Sequence, residues 1–382
     1  MALSVARLIE QIHETPTQLV LAVSGGGSRA IAELFEVPGA SRTLLEAAVP
    51  YCEAATVQWL GGRPDQFCAP PTARSMALVA WNRARQYAAA EVPLAGVACT
   101  AGLATDRPKL GPHRAHVALH TVARTATWSL ELEKGHRTRN AEERLVGRLI
   151  LNAVAEACGV QGRLALSLRS GERVEFSQTI APQPWQDLLV GKTAAVCEGG
   201  DQRPAAAILA GAFNPLHAGH RRMAELAQQI LGVPVALEIS ILNVDKPPLD
   251  YATIADRLRQ LPAEQAVWLT RAATFEEKAR LFPGAAFIVG IDTLRRIAAP
   301  RYYAGDPQAG RVALEQIAAR GCRFLVFGRL IDNAFLRLSD IELPDVLRDL
   351  CQEVPPEQFR ADISSTALRR VGRAERAPPE RG

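Results

Sequence analysis

Ala206-Ala-Ile-Leu-Ala210 runs straight into Gly211-Ala-Phe-Asn-Pro-Leu-His217-Ala-Gly219-His220, and this stretch decides how the second half of the chain reads. An apolar run that stops at a glycine and gives way to helical spacing is a strand, a tight turn and a helix start. The helix continues with Met223, Leu226, Ala227 and Ile230 and ends before Gly232. His217 and His220 stand three apart at its mouth, so both imidazoles leave one face. Gly211 and Gly219 let backbone come close to a ligand, and the unpaired N–H groups of a helix start suit phosphate. Taken alone, the histidine pair also fits a helix cap.

Further along, Val235, Leu237, Ile239 and Ile241 alternate as a strand does, and 266–269, 286–289 and 323–327 read as strands separated by helical segments. Strand–helix repeats at this spacing predict a parallel, doubly wound sheet that binds ligands at the carboxyl ends of its strands. A second anion nest stands near the end of the chain. Ser364, Ser365 and Thr366 precede an apolar stretch and can cap a helix, with Arg369 as a two-pronged clamp.

The first half is a separate α/β unit. Residues 18–22 lead to Ser24-Gly25-Gly26-Gly27-Ser28, and Ile31, Leu34 and Phe35 follow at helical spacing. Strands are expected at 94–99 and along the alternating stretch 116–132, and a helix through 145–157. Residues 164–168 and 173–177 flank Ser170-Gly171-Glu172 as a hairpin, and a Pro/Gly-containing stretch reaches 204. The expected division is a first domain over 1–160, a connector over 161–204, a second domain over 205–372 and a disordered tail over 373–382.

Composition sets the outer bounds. A chain of 382 residues holds two to three domains at about 150 residues each. With 48% hydrophobic and 22% charged residues, wholesale disorder is excluded. Forty-four Lys and Arg against 40 Asp and Glu leave +4, too mild a field for a nucleic-acid binder and suited to anionic small molecules. Seven scattered cysteines with no C-x-x-C pair argue against a disulfide framework or zinc ribbon. The acidic and polar first residues do not form a signal peptide, and no run nears the roughly 20 apolar residues of a membrane span. The expectation is a cytoplasmic protein with nucleotide ligands, no nucleic-acid or membrane partner, and self-association left open. His113, His116 and His120 invite a metal reading, but no nearby Cys or carboxylate completes a set, so no metal site is expected.

The motif at 211–220, with Ile363-Ser-Ser-Thr-x-x-Arg369, resembles the paired signature of the nucleotidylyltransferase superfamily and, within it, the nicotinate/nicotinamide mononucleotide adenylyltransferases. The resemblance covers 205–372 and implies a Rossmann-like domain that moves AMP from ATP to a pyridine mononucleotide, with Mg²⁺ on the triphosphate. It implies that His217 and His220 touch the α- and β-phosphates, that Ser364, Ser365 and Thr366 seat the β- and γ-phosphates, and that Arg369 neutralises pyrophosphate. Gly211, Phe213 and Asn214 fall in the nucleotide loop by the same likeness. Lys246 matches a phosphate-contacting lysine, Asp292 of Gly290-Ile-Asp292 a sugar contact, and Arg329 an arginine after the fifth strand. The tryptophans that stack on nicotinate in bacterial members are absent, which leaves Tyr302 or Tyr303. Another phosphorylated acceptor, such as phosphopantetheine or a phospho-alcohol, is the enzymatic alternative. A nucleotide-binding regulatory protein without turnover is the other.

The first half resembles the C-terminal domain of the competence/damage-inducible protein A (CinA) family, the nicotinamide-nucleotide amidases. Ala22-Val-Ser24-Gly-Gly-Gly and Val37-Pro-Gly-Ala-Ser41 keep that family's spacing, and Tyr51 falls on its tyrosine. This implies an α/β sandwich with a candidate site at Ser24, Gly25, Gly26, Gly27, Ser41 and Tyr51, and Arg139 on a family arginine. Val23 and Thr56 stand where the family has glutamate and lysine. A serine needs a base to attack an amide, so a phosphate-cradling loop with little or no amidase activity is expected.

Overall fold

The computed structural model describes residues 3–89, 91–106, 110–200, 205–303, 305–331 and 334–359. The chain divides into two compact units, Met1–Gln186 with Asp245–Ile254, and Asp187–Val244 with Ala255–Gly382.

The first unit runs α1 (Val5–His13), β1 (Gln18–Ser24), α2 (Ser28–Glu36), α3 (Ala40–Thr43), β2 (Leu44–Ala48), α4 (Glu53–Leu60), α5 (Pro70–Tyr87), β3 (Leu94–Gly102), β4 (His113–His120), β5 (Arg124–Leu132), α6 (Arg139–Ala157) and β6 (Val174–Ile180). Its sheet has the order β2-β1-β3-β4-β5-β6. β1 pairs in parallel with β2 and β3, and the rest of the sheet is antiparallel. Leu19, Leu21 and Val23 of β1 pack against Ile9, Leu34 and Ile150, while Ala22 meets Ala73, Met76 and Ala77 of α5 from the other face. A strand covered on both faces reads as an unbroken apolar run, which is why 18–22 stood out. α5 lies so close to β3 that a Cβ on Gly96 would sit 2.0 Å from the Ala77 carbonyl oxygen.

Two expectations are corrected. The stretch 116–132 is not one strand but two, β4 and β5, joined where the Thr121 N–H donates to the Arg124 carbonyl at 2.9 Å. The turn Thr121-Val-Ala123 holds no Gly, Pro, Asn or Asp, so both arms merge into one alternation. Residues 164–168 form no strand. The Asn152 side chain bonds both the N–H and the carbonyl of Leu164, at 2.7 and 3.0 Å, and Arg148 and Arg137 take the carbonyls of Ala165 and Ser167. Their backbone is spent on side chains, and β6 pairs with β5 instead.

Residues 245–254 lie in the first unit through a buried ion pair. Asp250, fully buried, accepts from Arg74 Nε at 2.9 Å and from the N–H groups of Ala252 and Thr253. Tyr251 donates to the Val122 carbonyl at 2.8 Å and stacks on His120 with ring centroids 5.1 Å apart. The His120 Nδ1 pairs with Thr125 Oγ1 and its buried Nε2 has no partner. Burial pushes the His120 imidazole down to about 4, and burial with Arg114 and Arg74 does the same to His116.

The rest of the chain runs α7 (Gln183–Val190), β7 (Ala195–Glu198), β8 (Ala207–Ala210), α8 (Ala218–Leu231), β9 (Val235–Ser240), α9 (Tyr251–Leu258), β10 (Val267–Thr270), α10 (Phe275–Leu281), β11 (Ala286–Gly290), α11 (Ile291–Ala298), α12 (Pro307–Ala319), β12 (Arg323–Phe327), the hairpin β13 (Arg329–Ile331) and β14 (Ala334–Leu336), α13 (Asp345–Asp349) and β15 (Cys351–Val354), all in the second unit except the first halves of α7 and α9. The sheet order is β15-β12-β11-β8-β9-β10-β7, with every pairing parallel except that of β7. Ile208, Phe287 and Phe324 occupy one face of adjacent strands under Leu294 and Ile317. Phe275 meets Phe287 and Phe324 edge-on at 5.4 and 5.6 Å.

Two imidazoles held neutral set an acid limit on the first unit. A histidine whose folded pKa is depressed loses stability as pH falls from its ordinary 6.5 towards about 4, because the unfolded chain takes the proton first. Urea unfolding should show the first unit about 2 kcal/mol weaker at pH 5 than at pH 7 from His120 alone. A flat profile across that interval would contradict neutral burial.

Candidate functional site

In the second unit the carboxyl ends of β8, β11 and β12 emerge side by side, since those strands are adjacent and parallel. Each carries polar residues into its following loop. The loop after β8 begins at Gly211, whose N–H donates to the Glu238 carbonyl at 3.0 Å. Phe213 is buried and takes a positive φ of 43°, a strained backbone for a bulky side chain. A Cβ on Gly211 would lie 2.8 Å from the Phe213 ring, so the glycine makes room for the phenyl group. That ring meets His220 edge-on at 5.1 Å, and the Asn214–Pro215 peptide beside it is cis.

His217 is the N-cap of α8, and its ring stacks on His220 with centroids 3.7 Å apart. The His217 N–H donates to His220 Nδ1 at 3.4 Å, so a neutral His220 carries its proton on Nε2. The buried His217 Nδ1 has no partner. Burial first, then His217 and the Arg329 guanidinium, push His220 down to about 4, and burial with Arg329 lowers His217. Both rings are neutral donors at pH 7.

Asp292, in the first turn of α11, ion-pairs with Arg329 at the start of β13. The other Asp292 oxygen, Oδ1, is buried without a partner. The unit therefore collects Gly211, Phe213, Asn214, His217, His220, Asp292 and Arg329 on neighbouring loops, with polar atoms to spare on His217 and Asp292. Such a set can hold a phosphorylated ligand by hydrogen bonds and one permanent cation. Ser364, Ser365, Thr366 and Arg369 lie outside the described residues, as does the tail. Lys246 belongs to the 245–254 segment of the first unit, where its Cα would come within 2.7 Å of a Cβ on Gly62. Tyr303 donates to the Ile297 carbonyl at 2.9 Å, and Arg301 lies over the Tyr302 ring.

Sequence reasoning missed the charge pair beneath the loop. Glu238 and Lys278 are buried at 2.8 Å, and Thr270 and the Ala272 carbonyl complete the network. The only signal is an acid inside the alternating run of β9.

In the first unit the glycine loop already holds an anion. The Glu143 Oε1 accepts from the Gly27 N–H at 2.8 Å, the Ser28 hydroxyl at 2.9 Å and the Arg29 N–H at 3.4 Å. The nest expected to cradle phosphate is filled by that carboxylate. Arg139 donates to the Gly25 carbonyl at 2.9 Å and lies 3.7 Å from Glu143. Gly25 and Gly27 take positive φ, and a Cβ on Gly25 would strike the Ala101 carbonyl oxygen at 1.9 Å, while one on Gly26 would strike the Leu103 side chain. Ser24 Oγ donates to the Pro50 carbonyl at 2.9 Å, and Thr56 Oγ1 donates to the same oxygen. Ser24 thus bonds an acceptor that cannot serve as its base. Ser41 and Tyr51 are exposed. His113 pairs with Glu142, His116 with Ser129 and His120 with Thr125, each on a different partner. Among the described residues no group of three metal-ligating side chains gathers, and no helix is long and apolar enough to cross a membrane.

No curated protein matches the chain. Similar solved structures include a competence or damage-inducible protein from Enterobacter asburiae, at 15% identity and TM-score 0.34, covering 41% of this chain and 98% of that one. A competence/damage inducible protein from Agrobacterium tumefaciens gives 20%, 0.33, 41% and 99%, and a CinA superfamily protein from Escherichia coli gives 15%, 0.31, 40% and 90%. Residues 208–371 match the cytidylyltransferase-like family model. The stacked histidines, Asp292 and Arg329 all fall inside that match, and the second unit carries a nucleotidyltransferase-like domain.

Proposed function

We propose that the second unit transfers AMP from ATP to the phosphate of a pyridine mononucleotide, nicotinamide or nicotinate, as a step of NAD biosynthesis or salvage. The observation that carries this reading is the stacked, neutral pair His217–His220 beside the Asp292–Arg329 ion pair, at the ends of three adjacent strands. The choice of acceptor rests on the sequence resemblances of the two halves, which both point to pyridine nucleotides.

In the proposed reaction an acceptor phosphate oxygen attacks the α-phosphorus of ATP. The bond from that phosphorus to the bridging oxygen breaks, its electrons leave with pyrophosphate, and no covalent enzyme intermediate forms. Catalysis is then alignment plus stabilisation of a crowded, highly charged phosphorus. The His220 Nε2–H is the donor for a non-bridging oxygen, and His217 supplies a second. Arg329 exchanges part of its hold on Asp292 for phosphate, which frees a carboxylate oxygen for a ribose hydroxyl. By the resemblance, Ser364, Ser365, Thr366 and Arg369 seat the outgoing phosphates. Mg²⁺ enters as part of the nucleotide substrate.

His220→Ala should lower adenylyl transfer about a hundredfold or more while the thermal transition stays within a few degrees, because one positioned donor is worth that much. A variant keeping more than about a tenth of the rate would remove His220 from the mechanism. Pyrophosphate release should be seen with ATP and nicotinamide or nicotinate mononucleotide. Release only with phosphopantetheine, or only with CTP and a phospho-alcohol, would move the reaction to another acceptor. Tight ATP binding with silence on every acceptor would make the unit a sensor. Ser24→Ala should leave transfer unchanged, and the parent protein should release no ammonia from nicotinamide mononucleotide.

A further inference from the structure

A hollow of about 350 Å³ opens between α1, α2 and α6 of the first unit, at the small end of the range for small-molecule sites. Part of its wall is apolar, from Val5 and Ile9 of α1 and from Val37 just past α2. The rest is charged. Arg29, Glu33 and Glu36 follow one another down one face of α2, and Arg144 and Arg148 stand one turn apart on α6.

These five charges do not settle among themselves. Arg29 Nε holds Glu33 Oε1 at 2.8 Å, and no other ion pair forms within the set. Arg148 gives one N–H to the Ala165 carbonyl at 3.2 Å and keeps the rest of its fork. Arg144 and Glu36 have no partner among the described residues. With Arg29 matched to Glu33, two guanidiniums remain against one carboxylate, so the hollow favours an anion. It also lacks a donor. The Glu33 Oε2 atom is buried and accepts no hydrogen bond, a deficit that buried polar atoms seldom carry.

We infer that this hollow binds a sugar phosphate, with the phosphate on Arg144 and Arg148 and a sugar hydroxyl on Glu33 Oε2. A carboxylate has two oxygens, and a single guanidinium fork occupies both. A phosphate monoester has three terminal oxygens and close to two charges at pH 7, which suits a pair of forks. The orphan oxygen fixes the other end of the ligand. An ionised carboxylate only accepts, so a bare anion would leave Oε2 as it is and be repelled by it, whereas a hydroxyl donates to it. The carbon skeleton between the two groups lies against Val5, Ile9 and Val37. The site belongs to the first unit, and the inference does not rest on the reaction proposed for the second.

Hydrogen exchange of the full chain, read by mass spectrometry, tests this with ribose 5-phosphate and inorganic phosphate as probes. Ribose 5-phosphate at millimolar concentration should slow exchange along α1 and α6. Inorganic phosphate should need about tenfold more for the same effect, since it brings no hydroxyl to the charged acceptor. Arg144→Glu should abolish the protection with an unchanged melting temperature, because that side chain is exposed and unpaired. Glu33→Gln should keep the protection and bring the two probes to equal potency. The hollow is no phosphate site if α1 and α6 exchange as before, whatever changes in the second unit, or if protection survives Arg144→Glu. Equal potency on the parent chain, or a gap that persists in Glu33→Gln, overturns the sugar phosphate.

Discussion

The candidate site depends on the parallel pairing of β8, β11 and β12. Ile208 and Leu209 sit opposite Phe287 and Ile288, which in turn sit opposite Phe324 and Leu325, all buried. A strand covered on both faces leaves no place for a charge along its length, because an unpaired ion there would cost several kcal/mol. Polar chemistry is therefore driven to the strand ends, where Gly211 to His220, Gly290 to Asp292 and Arg329 follow in turn. The exception supports the rule. Glu238 lies inside β9, and it is tolerated because Lys278 and Thr270 both bond its carboxylate. Its backbone carbonyl holds the Gly211 N–H, so the buried pair stands directly under the start of the histidine loop.

How much of this was legible follows from how far apart the partners are. His217 and His220 could be read because three residues on a helix fix their geometry in advance. Asp292 and Arg329 were singled out by likeness to a family, yet nothing local says that residues 37 apart form an ion pair. Glu143 was invisible for the same reason. It caps a helix 115 residues upstream in sequence, and only the folded sheet brings α6 to that point. The misreading of 164–168 has a related cause. Apolar alternation speaks for a strand only when another strand supplies the hydrogen bonds, and here Asn152, Arg148 and Arg137 supply them. Periodicity reports which way side chains face; it does not say who satisfies the backbone.

The glycine loop of the first unit is held by groups of its own chain. Glycine at 25 and 27 is required by backbone conformation, and the helix start behind it favours a negative charge. Glu143 supplies that charge from within the chain, and three donors converge on one of its oxygens. Ser24 keeps its hydroxyl, but the proton points at the Pro50 carbonyl, and Thr56 shares that acceptor. A hydroxyl that donates to a carbonyl gains no nucleophilicity, since activation requires a base that will take the proton. The loop's N–H groups are thus taken by the protein itself, while the other Glu143 oxygen is buried with no hydrogen bond and has Arg139 3.7 Å away.

The histidine loop of the second unit is the opposite case, and the contrast bears on where a ligand would be welcome. The His217 Nδ1 and Asp292 Oδ1 are buried without partners, and an unmade hydrogen bond at a buried atom costs about 1–3 kcal/mol. Two stacked imidazoles beside a guanidinium resist protonation, so without a ligand the cluster holds a single positive charge, already shared with Asp292. A polyanion reverses that balance. In the proposed reaction a nucleotide phosphate offers acceptors to both rings, takes part of Arg329 from Asp292, and raises the proton affinity of imidazoles that burial and their neighbours had lowered. In that reading a phosphate oxygen answers the imidazoles, while Asp292 Oδ1, an acceptor, needs a hydroxyl donor such as that of a ribose.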